Sequence, residues 1–213
     1  MSLASTDTAS SHLGDILGQL ILRVCKAQSE AEIYTVVAKD LPLLIPAERV
    51  SVALLTHSRN DIEVFALEGP VTELAKSTCI LCTQQSYIGY TILTQKNTLA
   101  TAAEDSIYPD LAHLASEGLI SVMTAPLLVS GEAIGALNVG SCQANLYRDA
   151  DLSILTQIAA LTATNIERLR LSQTAQASVS RHQDYAERLE ILNSIGQQLS
   201  SAMTEEYTFN IVA

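Results

Sequence analysis

The chain has 213 residues, 48% of them hydrophobic and 16% charged, which is too apolar for a disordered protein and long enough for one large core or two modest ones. Its 12 Lys+Arg against 23 Asp+Glu give a formal charge of -11, with no Trp and only 4% aromatic residues. The charge repels phosphate backbones and anionic bilayers, and stacking platforms are scarce, so nucleic-acid and membrane partners are excluded. Four Cys without an apolar signal segment point to reduced thiols and a cytoplasmic location, and no apolar run approaches the roughly 20 residues of a membrane span.

Residues 1–12 are small and polar and are expected to be disordered, a remnant of cloning included among their origins. From Leu13 the apolar positions Ile16, Leu17, Leu20, Ile21 and Val24 recur at three and four, predicting an amphipathic helix. Ser29 and Glu32 form the Ser-x-x-Glu capping box of a second helix, which Pro42 and Pro46 end. Arg49 to Thr56 and Asp61 to Leu67 read as a strand hairpin turned at Ser58-Arg59-Asn60. Thr78 to Thr83 and Thr98 to Ala100 are further strands, and Ser86 to Thr94 and Ile107 to Ser116 are short helices, the second closed by Gly118. Leu119 to Val129 and Ala133 to Ser141 form a second hairpin across Ser130-Gly131. From Asp149 the positions Leu152, Leu155, Ala159, Thr162, Ile166 and Leu169 mark the clearest helix. No Gly or Pro interrupts the chain from there until Gly196, so a helix continuing to Met203 is allowed.

Sliding the chain by 175 positions aligns Ile16 with Ile191, Leu20 with Ile195, Val24 with Leu199, Ser29 with Thr204 and Val37 with Val212. Helix, cap and second helical face return in order, as duplicated units would. The alternative is chance similarity between amphipathic helices, which share a period.

The order helix, helix, hairpin, variable middle, hairpin, long helix resembles the GAF family of small-molecule sensor domains. Gly118 to Gly140, with Pro126 ahead of the turn and Gly135 in the return strand, is similar to that family's paired strands. Tyr147-Arg-Asp-Ala-Asp151 resembles its closing segment, and Tyr87-Ile-Gly-Tyr-Thr its middle helix. The resemblance implies an α+β fold with a central antiparallel sheet flanked by helices and a long C-terminal connecting helix, the terminal helices on one face and a ligand pocket on the other. It divides the chain into a sensor domain over 13–172, a helical linker over 173–188 and the truncated start of a second GAF domain over 189–213. It also implies a homodimer through the terminal helices.

Carried over by position, the resemblance makes Asp105, Tyr108, His113, Thr124 and Asn138 pocket-lining candidates, with an exposed or purely structural role as the alternative for each. Cyclic-nucleotide-binding members carry Asn-Lys and Phe-x-x-x-Asp-Glu. Here the positions read Asn138-Val139 and Tyr147-x-x-x-Asp151-Leu152, which keeps a cyclic nucleotide among the candidate ligands but without the Lys and the Glu. Bilin-binding members attach the chromophore at a Cys-His pair, whereas the Cys residues here precede Lys26, Ile80, Thr83 and Gln143, so no cofactor is expected. Cys79-Ile-Leu-Cys82 has redox and half-zinc spacing, but no second pair completes a metal site. These two thiols are expected to be buried and inert, on opposite strand faces. The four His are dispersed, and no phosphate loop or nucleophile elbow is present, so no metal and no catalytic residue is expected. The resulting expectation is a noncatalytic cytoplasmic sensor that relays ligand binding through dimeric helices to a downstream kinase or nucleotide cyclase. The alternatives are a dimerisation module without a ligand and a GAF-type free methionine sulfoxide reductase, which would need close thiols among Cys79, Cys82 and Cys142.

Overall fold

The computed structural model describes residues 4–68 and 78–212. Two compact units divide the chain, one ending at Leu169 and one beginning at Arg170. In the first, helix α1 spans Ala4–Lys26 and α2 Glu30–Asp40, followed by a short 3-10 turn over Leu41–Leu43. Strands β1 (Arg49–Leu55), β2 (Asp61–Glu68) and β3 (Thr78–Cys82) precede α3 (Tyr87–Thr94), β4 (Thr98–Thr101) and α4 (Pro109–Ser116). Strands β5 (Ser121–Val129) and β6 (Glu132–Ser141) lead into α5, which spans Asp149–Val212.

The six strands form one antiparallel sheet in the order β3-β2-β1-β6-β5-β4. Both expected hairpins form. The β5–β6 turn places Ser130 and Gly131 at φ 50 and 84, the left-handed pair that a two-residue turn requires to match strand twist. Period-two alternation then assigns side chains to faces. Val52, Leu137, Val139 and Leu127 point to the face covered by Leu20 and Val24 of α1, Ile33 and Val37 of α2, and Leu155, Ile158 and Ile166 of α5, all in one buried apolar cluster.

The capping box at α2 forms with a shift. Glu32 N–H donates to Ser29 Oγ at 3.2 Å, but the Glu32 carboxylate accepts from Gln28 N–H at 2.8 Å rather than from the cap residue's own amide. The break between α1 and α2 is also held from a distance, because the Arg168 guanidinium donates to Ala27 O at 2.9 Å and to Cys25 O at 3.4 Å.

Two expectations are corrected. Residues 4–12, expected to be disordered, are helical, because no Gly or Pro stands between Ala4 and Leu13 and a nucleated helix extends at one hydrogen bond per residue. The second unit is helical through Thr204, where the repeat placed a new cap. Cap sequence alone does not break a helix, and the break at Ala27 has Arg168 to hold its carbonyls. Along 171–178 the side chains are exposed, as are Tyr185, Leu189, Leu192 and Ile195 beyond them. Among the described residues, no helix is long and apolar enough to cross a membrane, and no group of three or more His, Cys, Asp and Glu could hold a metal ion.

Candidate functional site

The sheet face opposite α1, α2 and α5 is roofed by α3 and α4. Helix α3 starts where Ser86 Oγ accepts from Gly89 N–H at 3.1 Å, and where both oxygens of Asp110, from α4, accept from Tyr87 N–H at 2.9 Å and Ile88 N–H at 3.1 Å. One buried carboxylate therefore caps one helix and ties the other to it. Gly89 is required at this junction, since a Cβ there would lie 1.8 Å from the Thr83 carbonyl oxygen.

Between this roof and the sheet lies a cavity of about 340 Å³. Its walls are mostly apolar, with Val64, Leu81, Ile88, Leu111, Leu114 and Val122, while its floor is crossed by a polar row. Ser51 of β1 stands opposite Asn138 of β6, which stands opposite Thr124 of β5. Asn138 Nδ2 donates to Ser51 O at 3.3 Å and Ser51 Oγ at 3.2 Å. A carbonyl can only accept, so the amide nitrogen must face Ser51, and this leaves Asn138 Oδ1 turned away from it. Asn138 Oδ1 and Thr124 Oγ1 are buried and have no hydrogen-bond partner. Among the described residues two further side-chain atoms share that condition, Tyr147 Oη and Thr162 Oγ1, but neither residue lines the cavity.

Charge at the cavity is compensated. Arg49 pairs with Glu117 just beyond α4, and Glu117 Oε1 lies 3.3 Å from His113 Nε2. Tyr87, also in the lining, has its hydroxyl pKa raised by burial, with a side-chain hydrogen bond to Thr98 pulling the other way, so it remains a neutral phenol.

Of the five candidate residues, His113, Thr124 and Asn138 line the cavity together. Tyr108 does not; its ring packs edge-on against Tyr87 at a centroid distance of 5.6 Å, behind the lining. Asp105 is exposed in the loop ahead of α4 and is outside the lining, because the loop between Thr101 and Pro109 runs out to solvent. Arg49, Ser51, Asp110 and Glu117 were not singled out from the sequence. Ser51 had a signal available, being a lone polar residue inside the apolar run Val50 to Leu55, whereas Arg49 and Glu117 belong to no motif and meet only in the fold.

The expectation that Cys79 and Cys82 are buried is corrected, since all four Cys are free and exposed. Cys79 and Cys82 sit on β3, which among the described residues is an edge strand of the sheet. Cys79 shares the cavity face with Leu81, which places Cys82 on the other face.

A family model for the GAF domain matches residues 29–166. Among proteins of curated function none matches significantly. Solved structures with the same fold include the GAF domain of an Acinetobacter phosphoenolpyruvate-protein phosphotransferase, 13% identical with a TM-score of 0.64, covering 76% of this chain and 98% of that one. The GAF domain of a Bacillus halodurans two-component sensor histidine kinase is 20% identical with a TM-score of 0.60, covering 69% and 99%. Free methionine-R-sulfoxide reductase from Neisseria meningitidis, solved in complex with its substrate, is 18% identical with a TM-score of 0.61, covering 75% and 91%.

Proposed function

Because the chain belongs to the GAF domain family, we propose that it is a noncatalytic sensor module that binds a small molecule between its sheet and helices α3 and α4. The observation that carries this reading is the cavity floor, where buried polar atoms on two residues that face each other across β5 and β6, Thr124 Oγ1 and Asn138 Oδ1, lack partners. Buried polar groups in folded proteins are as a rule satisfied, so an unmet pair on residues that line a cavity favours a ligand there. The route outward is short. Asn138 sits between Leu137 and Val139, whose side chains join Leu155 and Ile158 of α5 in the opposite core, so a shift of β6 on binding presses directly on that helix.

The relay runs on through a homodimer to a downstream kinase or nucleotide cyclase. Tyr185, Leu189, Leu192 and Ile195 repeat at three and four with exposures from 46% to 64%, an apolar seam that a second copy would cover as a coiled coil. Four unpaired thiols fit a reducing, cytoplasmic setting. The same seam also favours a second reading, a dimerisation module whose pocket stays empty.

A thermal-shift screen of small metabolites, cyclic GMP and cyclic AMP included, tests the first reading. At least one compound should raise Tm in proportion to occupancy, with sedimentation equilibrium reporting a dimer throughout. A dimer that no compound stabilises would leave the structural module standing. Turnover of free methionine sulfoxide that disappears in Cys79→Ser, Cys82→Ser or Cys142→Ser would establish an enzyme instead.

A further inference from the structure

Resting on the ligand-binding reading, we infer that the cavity takes a neutral, largely apolar molecule that presents an N–H or O–H donor at its buried end, and not an anion such as a nucleotide. At the floor, Asn138 Oδ1 can only accept, and Thr124 Oγ1 beside it accepts or donates. Both residues are more than nine-tenths buried, at 6% and 0% exposure, so the two unpartnered atoms select for a donor and discriminate against a group without one. Around them the walls are aliphatic, with the buried ring of Tyr87 at one side, and this favours an apolar body.

The charges argue against an anion at four places. Among the described residues Arg49 is the only permanent cation in the lining, and Glu117 already neutralises it. The N-terminus of α3, otherwise a ready anion site, is occupied by both oxygens of Asp110 and by Ser86 Oγ. Helix α4 carries that same Asp110 in its own first turn, which cancels its attraction for negative charge. His113 is at the cavity too, but its Nε2 lies beside Glu117. An entering phosphate or carboxylate would thus displace an existing ion pair or cap, against the field of a chain with net charge -11.

Isothermal titration calorimetry of the whole chain near neutral pH, with matched probes, decides it. The probes are 2-naphthol, its methyl ether 2-methoxynaphthalene, 2-naphthoate and cyclic GMP. The expected result is that 2-naphthol binds about tenfold or more tightly than the ether and than either anion, the margin set by leaving the floor atoms unpaired. In Thr124→Val, which keeps shape and removes one of the two atoms, the naphthol-to-ether ratio should shrink. In Asn138→Leu it should shrink further, because the atom that can only accept is gone. Should Asn138→Leu fail to fold, Thr124→Val alone carries the comparison. Absence of 2-naphthol binding, equal affinity for 2-naphthol and the ether, or an unchanged ratio in Thr124→Val would each overturn the inference. Tighter binding of cyclic GMP or 2-naphthoate would overturn it while leaving the small-molecule sensor reading intact. Selective 2-naphthol binding in a chain whose effector ignores it would do the reverse.

Discussion

The two faces of the sheet are built from the same strands and obey opposite rules. On the helix-covered face, Val52, Met123, Leu127 and Leu137 are fully buried among apolar neighbours. On the other face the residues next in sequence, Ser51, Thr124 and Asn138, are just as buried but polar, and two of them have an atom without a partner. Burial alone therefore does not distinguish a core from a site. What distinguishes them is a facing pair of residues with unpartnered polar atoms in the lining of a cavity; Tyr147 and Thr162 also carry an unpartnered atom, but neither lines that cavity.

Substitutions on the two faces should differ accordingly. The largest effect is expected for Leu137→Ala on the helix-covered face, which removes a fully buried side chain and should cost about 2–5 kcal/mol in urea unfolding. A loss below about 1 kcal/mol would mean that this core collapses around the gap. Next comes Glu117→Gln at the cavity rim. The Arg49 and Glu117 side chains are 17% and 9% exposed, and orphaning the guanidinium should cost about 2 kcal/mol, toward the low side for a buried pair because Arg49 keeps some water. Replacing both partners together, Arg49→Met with Glu117→Leu, should recover most of that loss, and a double-mutant cycle measures it.

Tyr147 supplies a pH test on the helix-covered side, where its ring packs against the core and its hydroxyl lacks a partner. Burial first, then the charges of Glu48 and Asp151, raise its pKa. The unfolded chain therefore ionises this group before the folded one does. The stability it contributes is fully present below the unfolded value of about 10 and is lost as pH rises from there through the folded value. Tyr147→Phe should leave stability near neutral pH unchanged or higher and should flatten the alkaline decline. An identical alkaline limb in both proteins would count against the assignment. The smallest effect belongs to Thr124→Val on the cavity floor, expected within about 1 kcal/mol of wild type and on the stabilising side, since a hydroxyl with no partner is exchanged for a methyl of the same shape. A larger loss would show that the hydroxyl supports the fold and would remove it from the ligand argument.

Much of the fold was legible locally. The three-and-four spacing of Leu155, Ala159 and Ile166, the cap at Ser29, the turn residues Ser130-Gly131 and the glycine of Tyr87-Ile-Gly-Tyr-Thr each act within a few residues, so the sequence specifies them without reference to the rest of the chain. The helical state of 4–12 and of Thr204 is not legible locally, for the complementary reason. Polar composition and cap chemistry are weak local preferences, and a helix already nucleated overrides them unless a contact such as that of Arg168 with Ala27 O holds the break open.

Of the candidate site, Thr124, Asn138 and His113 could be placed from family resemblance, but the chemistry at the cavity could not. That Arg49 is neutralised depends on a pairing across 68 positions, and that Asp110 is occupied depends on α3 starting within reach of α4. The exposure of Cys79 and Cys82 follows from β3 lying at the sheet edge. Local sequence determined which segments are helix, strand and turn, because those depend on near neighbours along the chain. Only the tertiary structure decided which polar atoms were left unpaired and which charges were already matched, because hydrogen-bond and ion partners are fixed by strand register and helix packing between residues far apart in sequence.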